Sequence, residues 1–323
     1  MNFQNLDLNL LRVLDAMLRE RSTTRVSERL RLSQPAVSAG LSRLRRSLGD
    51  PLFVRQGNAM VPTAYAESLA APLRRVLDDL EASLRGPDDF DPKTSRRVFK
   101  VFATDYYSEL LIPRLIDTIA HVAPLMRFQL VYGPQEILFR EIGEGIVDMG
   151  IYPTLSGPDW VIQTAAIHSS FLAVAARQHP RFQRAGLRPG DVVPLDLLCD
   201  VPHVLFSPQG NLQGMEDAAL AKLGRSRHVA LTVPTFYGVA RAIAQSGLIG
   251  VLPSRFATSL ASRLGIACYR LPHDLPLARQ FLYWHRRNTA SAEHRWMREQ
   301  ILSTLEPLDE VKHPLSEEEL RGA

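Results

Sequence analysis

The strongest constraint on the fold is a helical pattern in residues 33–48. Apolar residues recur there at i, i+4, i+7 and i+11, which places on one helix face Val37, Leu41, Leu44 and Leu48. Ser33 can cap this helix, and Pro35 falls in its first turn, where proline is tolerated. The pattern predicts a helix that buries one face and exposes a second face of small and polar residues.

Two shorter helices are predicted before this one. Apolar residues at helical spacing indicate a first helix over residues 6–20. Ser22 and Thr23 offer an N-cap to a second helix, which ends at a tight turn over residues 31–32. This order is typical of a helix-turn-helix, whose last helix enters the major groove of DNA. Gln34, at the start of that helix, can reach a base edge.

A hairpin is predicted directly after the helix-turn-helix. Residues 52–55 and 59–61 have the pattern of two short strands, and the glycine-containing turn 56–58 joins them. Such a hairpin forms a wing beside the recognition helix. Arg55 lies near its tip, where it can enter a minor groove or contact phosphate.

Positive charge is concentrated in the same segment. Residues 1–62 hold ten arginines and five acids, a net charge of +5, whereas the whole chain carries +4 and the remainder therefore −1. Concentrated basicity on a small domain indicates a polyanionic partner. A general preference of this chain for arginine over lysine explains the residue type but not its placement.

Four ordered motifs in this region resemble the LysR-type transcriptional regulators. They are DLNLL at residues 7–11, LSQPAVS at 32–38, DPLFVR at 50–55 and PT at 62–63. The sequences of these motifs are similar to those of the branch that includes nodulation and aromatic-degradation regulators. The resemblance extends to about residue 302 and implies a sequence-specific DNA-binding transcriptional regulator that responds to a small-molecule effector.

The resemblance and the helix pattern together give a set of candidate DNA contacts. The expected residues are Ser33, Gln34, Pro35, Ser38, Ala39, Ser42, Arg46 and Arg55. Two departures from the family pattern are visible. Val26 and Ser27 stand where two alanines are usual, and Arg45 with Arg46 stands where an acid is common, which adds candidate phosphate contacts. We expect Gln34→Ala and Arg55→Ala to weaken DNA binding.

A long helix is predicted over residues 63–86. Its apolar residues approximate a heptad seam at Ala66, Leu69, Leu73, Val76, Leu80 and Leu84. The spacing alone fits a surface helix packed on its own domain equally well, and Pro72 should kink it. The resemblance favours a homodimer, assembled further into a dimer of dimers, with RNA polymerase among the candidate partners. We expect residues 1–62 to form the DNA-binding domain and residues 87–95 a hinge.

The remaining chain alternates strand and helix patterns, which predicts open α/β sheets. The resemblance implies a two-lobed, periplasmic-binding-protein-like effector domain at 96–305. The expected first lobe is 96–166 plus 267–305, and the expected second lobe is 167–266. The fold class is thus α/β with an N-terminal winged helix-turn-helix. Residues 306–323 are charged and contain two prolines, which predicts a loose tail.

Candidate effector contacts follow from where strands end in such sheets. They are Thr104, Tyr106, Tyr107, Tyr152, His168, Ser169, Phe206, Thr235 and Phe236. This aromatic and hydroxyl-rich set suits a small, flat aromatic compound or aromatic acid. Two of the neighbouring polar residues have simpler interpretations. Asp105 is expected to be the N-cap of its own helix, and His168 taken alone fits a structural histidine.

Other classes of protein find little support in the sequence. Cys199 and Cys268 are far apart and have no histidine at metal-binding spacing, so neither a disulfide framework nor a metal site is expected. No apolar run reaches membrane-spanning length, and the polar start lacks a signal-peptide pattern, which predicts a cytoplasmic protein. No catalytic or cofactor motif is present, so we expect no cofactor and no enzyme. A solute-binding protein and an α/β enzyme with a dimerisation module remain the alternatives.

Overall fold

The computed structural model describes residues 7–56, 59–84 and 90–322, and the chain divides into two units, Met1–Asp88 and Asp89–Ala323. The elements of the first unit are α1 (Asn9–Glu20), α2 (Thr23–Leu30), α3 (Gln34–Leu48), β1 (Phe53–Gln56), β2 (Ala59–Pro62) and α4 (Ala64–Leu84). The predicted winged helix-turn-helix is therefore confirmed. The predicted start of the first helix at residue 6 lies outside the described residues, as does the tip of the wing at 57–58.

Side chains next to the helices determine where they begin. Ser22, Ser33 and Thr63 precede α2, α3 and α4, and the hydroxyl of each accepts a hydrogen bond from a backbone N–H three residues on. These bonds satisfy donors that the first turn of a helix leaves unpaired. Helix α4 continues through Pro72 to Leu84.

The core of the first unit holds α3 against the other helices. Leu14, Met17, Val37, Leu44 and Leu52 are each at most 1% exposed. Burial of such a side chain contributes about 1.5–3 kcal/mol relative to exposure. The inner face of α3 predicted from periodicity is thus fixed in the core, and its outer face points away from the unit.

The second unit contains two lobes. The chain first forms β3 (Val98–Phe102), α5 (Asp105–Leu110), α6 (Ile112–Val122), β4 (Arg127–Val131), α7 (Leu138–Gly143), β5 (Met149–Pro153) and β6 (Val161–Ser169). It then forms β7 (Phe171–Ala176), α8 (Pro180–Arg184), α9 (Leu195–Asp200), β8 (His203–Phe206), α10 (Met215–Lys222), β9 (Val229–Val233), α11 (Phe236–Gln245), β10 (Gly250–Pro253), α12 (Ser254–Leu264) and β11 (Ile266–Tyr269). It ends with β12 (Ala278–His285), α13 (Ala292–Leu305) and α14 (Glu317–Gly322).

Sheet topology defines the two lobes. The first lobe is built on a mixed sheet in the order β4-β3-β5-β12-β6, in which β3 runs parallel to β4 and β5. The second lobe is built on β10-β7-β11, which is antiparallel, and on the parallel pair β8-β9. The chain crosses between lobes after β6 and returns after β11, so the two-lobed α/β architecture is confirmed.

Several elements differ from the sequence-based expectation. The apolar spacing of Leu110, Leu111, Leu115 and Ile119 predicts one helix over residues 106–121. That helix is divided at Leu111, because Pro113 has no N–H to continue the hydrogen bonds of the first segment. Strand β6 and the short helices α8 and α9 were not predicted. Strand β11 pairs with β7, so it belongs to the second lobe rather than to the first, where residues from 267 onward were expected.

The expectation of a loose tail over residues 306–323 is wrong. Leu308 and Leu320 are 3% and 6% exposed and belong to the main core of the second unit. The Arg255 guanidinium donates a hydrogen bond to the Leu308 carbonyl at 3.1 Å. The Glu310 carboxylate accepts hydrogen bonds from the hydroxyls of Ser170 and Ser254. The charge and proline content of this segment predicted a loose tail, but two of its leucines are buried.

Residues 90–95, within the expected hinge, pack on the second unit. The Phe90 ring lies against Trp296, with ring centroids 5.8 Å apart. The Ser95 hydroxyl bonds to the Glu293 carboxylate. Residues 87–89 of the expected hinge lie outside the described residues.

Candidate nucleic-acid interface and ligand cavity

The outer face of α3 carries the candidate DNA contacts. All eight are exposed: Ser33, Gln34, Pro35, Ser38, Ala39, Ser42, Arg46 and Arg55. Seven of them lie on α3 or at its N-cap, and Arg55 lies on β1 of the wing. The structure therefore places them at the surface of a single small unit.

Close packing between helices fixes the position of α3. Gly40 faces α1 so closely that a Cβ there would lie 3.3 Å from the Leu10 side chain. At the other end of the contact, the Gln34 amide donates a hydrogen bond of 3.4 Å to the Thr23 hydroxyl at the start of α2. Gln34 is thus exposed but oriented by its neighbour, a useful property for a side chain that contacts a base.

A hydrogen-bond network holds the wing against α3. The Asp50 carboxylate accepts hydrogen bonds from the Leu52 N–H (2.6 Å) and the Thr63 hydroxyl (2.7 Å). The Arg45 guanidinium donates to the carbonyls of Pro51 (2.7 Å) and Phe53 (3.3 Å). Arg45 therefore positions the wing, whereas the sequence grouped it with Arg46 as a candidate phosphate contact.

Ion pairs neutralise some of the arginines of this unit and not others. Acids are paired with arginines at Arg43–Asp7, Arg19–Asp15, Arg74–Asp15, Arg29–Glu20 and Arg21–Glu67. Within the described part of the unit, no carboxylate lies within 4 Å of Arg25, Arg31 or Arg46. Positive charge thus remains around α2 and α3, where a phosphate backbone would lie.

Helix α4 packs its first apolar residues on its own domain and exposes the later ones. Ala66 is fully buried, and Leu69 and Leu73 pack on the core of the first unit. Farther along the helix, Val76 and Leu80 are 58% and 49% exposed. The start of α4 therefore belongs to its own domain, and the later part exposes apolar side chains.

A cavity of about 460 Å³ lies between the two lobes of the second unit. Seven of the nine candidate effector contacts line it: Thr104, Tyr106, Tyr107, Tyr152, Ser169, Phe206 and Phe236. The Phe206 and Phe236 rings stack with centroids 3.8 Å apart. Burial raises the pKa of Tyr106 to about 12, so its hydroxyl is uncharged at neutral pH.

The other two candidates have different surroundings. His168 Nδ1 lies 3.1 Å from the Asp309 carboxylate, in the C-terminal segment. The Thr235 hydroxyl caps α11 by accepting a hydrogen bond from the Gly238 N–H at 3.0 Å. Neither residue is among those that line the cavity.

Sequence reasoning missed a buried charged cluster at one side of the cavity. Arg227 and Glu216 both line the cavity, and their side chains are 1% and 2% exposed. The Arg227 guanidinium bonds to Glu216 at 2.8 Å and to both carboxylate oxygens of Asp217, at 3.0 and 2.8 Å. It also lies 3.3 Å from His203 Nδ1. No local pattern links Arg227 to residues on α10, so this cluster could not be predicted from the sequence.

Burial determines the protonation of the cluster. It lowers the pKa of His203 to about 4, so the neutral ring donates from Nε2 to the Leu198 carbonyl at 2.8 Å. Burial raises the pKa of Glu216 to about 7, although Arg227 opposes the shift. Burial also acts on Asp217, but hydrogen bonds from Arg227 and from the Gly214 N–H leave its pKa below the usual value.

Asp105 joins the two lobes across the cavity. Its carboxylate accepts hydrogen bonds from the N–H groups of Phe236 (3.0 Å) and Tyr237 (2.8 Å), at the start of α11. The expectation that Asp105 caps its own helix is wrong, because the carboxylate caps a helix of the opposite lobe. The Tyr132 hydroxyl makes a second contact between lobes by donating to the Pro234 carbonyl at 2.5 Å.

Two other kinds of feature are absent from the part of the chain that the structure describes. Across ranges 7–56, 59–84 and 90–322, no three His, Cys, Asp or Glu side chains are grouped to hold a metal ion. No helix in those ranges has the length and apolar character needed to cross a membrane.

Two family models match the chain. The model described as "LysR substrate binding domain" matches residues 92–306. The model described as "Bacterial regulatory helix-turn-helix protein, lysR family" matches residues 8–67. The two matches fall on the second and first units respectively.

Known proteins are similar over nearly the whole length. The HTH-type transcriptional activator NahR of Pseudomonas putida is 31% identical over 93% of this chain and 97% of its own. Nodulation protein D 1 of Bradyrhizobium sp. (strain NC92) is 30% identical over 94% of each chain. The crystal structure of a probable transcriptional regulator from Pseudomonas aeruginosa, 32% identical, covers 92% of this chain and 98% of its own, with a TM-score of 0.72.

Proposed function

The chain belongs to the LysR family of bacterial transcription regulators, and we propose that it binds promoter DNA as a dimer under the control of a small aromatic effector. It is a DNA-binding regulator with an effector-binding domain and not an enzyme. The target sequence, the assembly and the chemical nature of the effector are parts of the proposal. A regulator that binds promoters acts where the chromosome is, which supports the expected cytoplasmic location.

The exposed face of α3 supports the proposal that the protein binds double-stranded promoter DNA. Small side chains at Ser38, Ala39 and Ser42 allow the helix to approach the floor of a major groove. Gln34 is proposed to contact a base edge, and Arg46 and Arg55 are proposed to contact phosphate. Base contacts then supply specificity, and phosphate contacts supply affinity that falls with salt.

The exposed part of α4 supports the proposed homodimer. Val76 and Leu80 lie one helical turn apart, as expected for a seam that meets a second copy. Two copies would match the two-fold symmetry of a pseudo-palindromic site. Assembly into a dimer of dimers, and contact with RNA polymerase, extend this proposal by family resemblance. We expect V76E/L80E to convert a dimer to a monomer in sedimentation equilibrium, whereas a mass that stays dimeric would refute this seam.

The cavity between the lobes is proposed to hold the effector. Its volume lies in the usual range of small-molecule sites, about 300–1,000 Å³. Seven candidate contacts surround it, and the stacked rings of Phe206 and Phe236 support an aromatic ligand. Because the lining comes from both lobes, a ligand that binds the closed arrangement more tightly would shift the balance between closed and open forms.

A gel-shift titration on the DNA upstream of this gene tests the proposed DNA binding. We expect a specific complex that unrelated DNA does not displace and that weakens between two salt concentrations. Equal displacement by unrelated DNA would refute specific binding at that site. The variant Gln34→Ala then tests whether α3 makes the contact, and Arg140→Ala in the second unit is the control for an exposed substitution away from α3.

A further inference from the structure

We propose that the cavity binds an uncharged aromatic ligand with hydrogen-bond donors, such as an aromatic amide, and discriminates against the matching carboxylate. This inference rests on the effector-binding role proposed above. Proteins usually recognise a carboxylate through a spare guanidinium or ammonium group or through the N-terminus of a helix. In this cavity, the guanidinium of Arg227 and the N-termini of α10, α11 and α12 are already paired with carboxylates of the protein.

The cation of the cavity is neutralised by its neighbours. Among the described residues that line the cavity, Arg227 is the single lysine or arginine. Glu216 and Asp217 hold its guanidinium with three hydrogen bonds of 2.8–3.0 Å. The cluster carries net negative charge when Glu216 is ionised and none when Glu216 is protonated. A ligand carboxylate at this position would therefore meet no net positive charge in either state.

Three helix N-termini around the cavity, those of α10, α11 and α12, are occupied as well. Asp105 accepts from the first N–H groups of α11, and Asp217 accepts from the Gly214 N–H at the start of α10, at 2.7 Å. At the start of α12, the Glu310 carboxylate bonds to the Ser254 hydroxyl. Each helix thus has a protein carboxylate at the end that attracts anions. A carboxylate ligand at any of these three ends would have to displace one of them.

The remaining polar groups suit an uncharged ligand. Hydroxyls and carboxamides line the cavity, among them Tyr107, Gln213 and Gln280. Glu216 Oε1 is buried and has no hydrogen-bond partner among the described residues, with His273 Nε2 3.9 Å away. An N–H or O–H from the ligand would satisfy such an acceptor. Of the two ligand types expected from the sequence, the aromatic acid is therefore the less suitable.

Matched pairs of compounds test the charge preference directly. Benzamide with benzoate, naphthamide with naphthoate, and 4-hydroxycinnamamide with 4-hydroxycinnamate differ mainly in charge. Isothermal titration of the full-length protein at pH 8 measures each affinity. We expect at least one amide to bind, with an affinity about tenfold or more above that of its acid. An acid that binds as tightly as its amide overturns the proposal.

A charge variant tests whether Glu216 causes the preference. In Glu216→Gln, Arg227 faces one carboxylate instead of two, so the ratio of amide to acid affinity should fall. Asp196→Asn, which removes an exposed carboxylate paired with Arg225, is the control and should keep the wild-type ratio. A Glu216→Gln ratio equal to wild type, in a variant with an intact cooperative melt, overturns the role of the cluster.

Gel shifts in parallel separate this inference from the proposed function. If no amide binds while specific DNA binding is intact, the proposed ligand class is wrong and the regulator remains. If specific DNA binding is also absent, the proposed function itself fails.

Discussion

Replacing His294 with glutamine should make the second unit less sensitive to acid. His294 lies on α13 with no exposed surface. Its Nδ1 accepts a hydrogen bond of 2.7 Å from the Arg298 guanidinium, and its Nε2 donates to the Asp148 carbonyl at 3.2 Å. Burial lowers the pKa of His294 from 6.5 to about 4. The folded protein therefore holds a neutral ring that the unfolded chain would protonate.

The sign and size of the effect follow from this difference in pKa. Between pH 6.5 and pH 4 the unfolded chain binds more protons than the folded protein, so the free energy of unfolding falls as the pH falls. The stability is fully present above the unfolded pKa and is lost as pH falls through the folded pKa. The lowered pKa corresponds to about 3 kcal/mol in total, of which about 2 kcal/mol is lost at pH 5.

Urea unfolding at pH 8 and pH 5 measures this contribution. His203, whose pKa is also lowered, and Glu216, whose pKa is raised, change the pH dependence of stability in opposite directions. Both residues are present in wild type and in the variant, so their contributions cancel when the two proteins are compared. We expect His294→Gln to lose about 2 kcal/mol less than wild type between the two pH values. The exposed His121→Gln serves as control and should follow wild type. If His294→Gln loses as much stability as wild type, the buried neutral ring is not a source of acid sensitivity.

Three further substitutions test other parts of the molecule. Gln34→Ala should weaken specific binding by about 1–3 kcal/mol in gel shifts without changing the thermal melt, and retained affinity would remove it from the base contacts. Arg55→Ala should reduce the slope of log affinity against log salt by about 0.9, and an unchanged slope would exclude a phosphate contact. Leu320→Ala should lower the free energy of unfolding of the second unit by up to about 2–5 kcal/mol. Undocking of α14 sets this upper limit to the loss. Unchanged stability would contradict the packing of the C-terminal segment.

The first unit could be predicted from sequence because its signals are local. The hydroxyls of Ser22 and Ser33 lie three residues from the N–H groups that they cap. The inner face of α3 repeats within a single helix, where periodicity alone separates buried from exposed positions. The position of Arg45 was missed because its partners are carbonyls of the wing, which only the folded chain brings together.

The cavity could be predicted only in outline. Strand ends gave seven of its lining residues, because ligands meet α/β sheets at those ends. Contacts between distant parts of the chain determine the charge of the cavity, and such contacts are not visible in the sequence. Asp105 meets Phe236 across 131 positions, and Glu310 meets Ser170 across 140. Composition predicted a loose segment after residue 305, whereas burial of Leu308 depends on a surface formed by other elements.

The contacts between the lobes bear on how the proposed effector would act. Asp105 on α5 holds the start of α11, and Tyr132 holds the adjacent Pro234 carbonyl. Tyr107 from the first lobe and Phe236 from the second line the same cavity. A ligand with equal affinity for two arrangements would shift neither. If the proposed effector contacts both lobes, its binding would add to the stability that the Asp105 contacts give this arrangement.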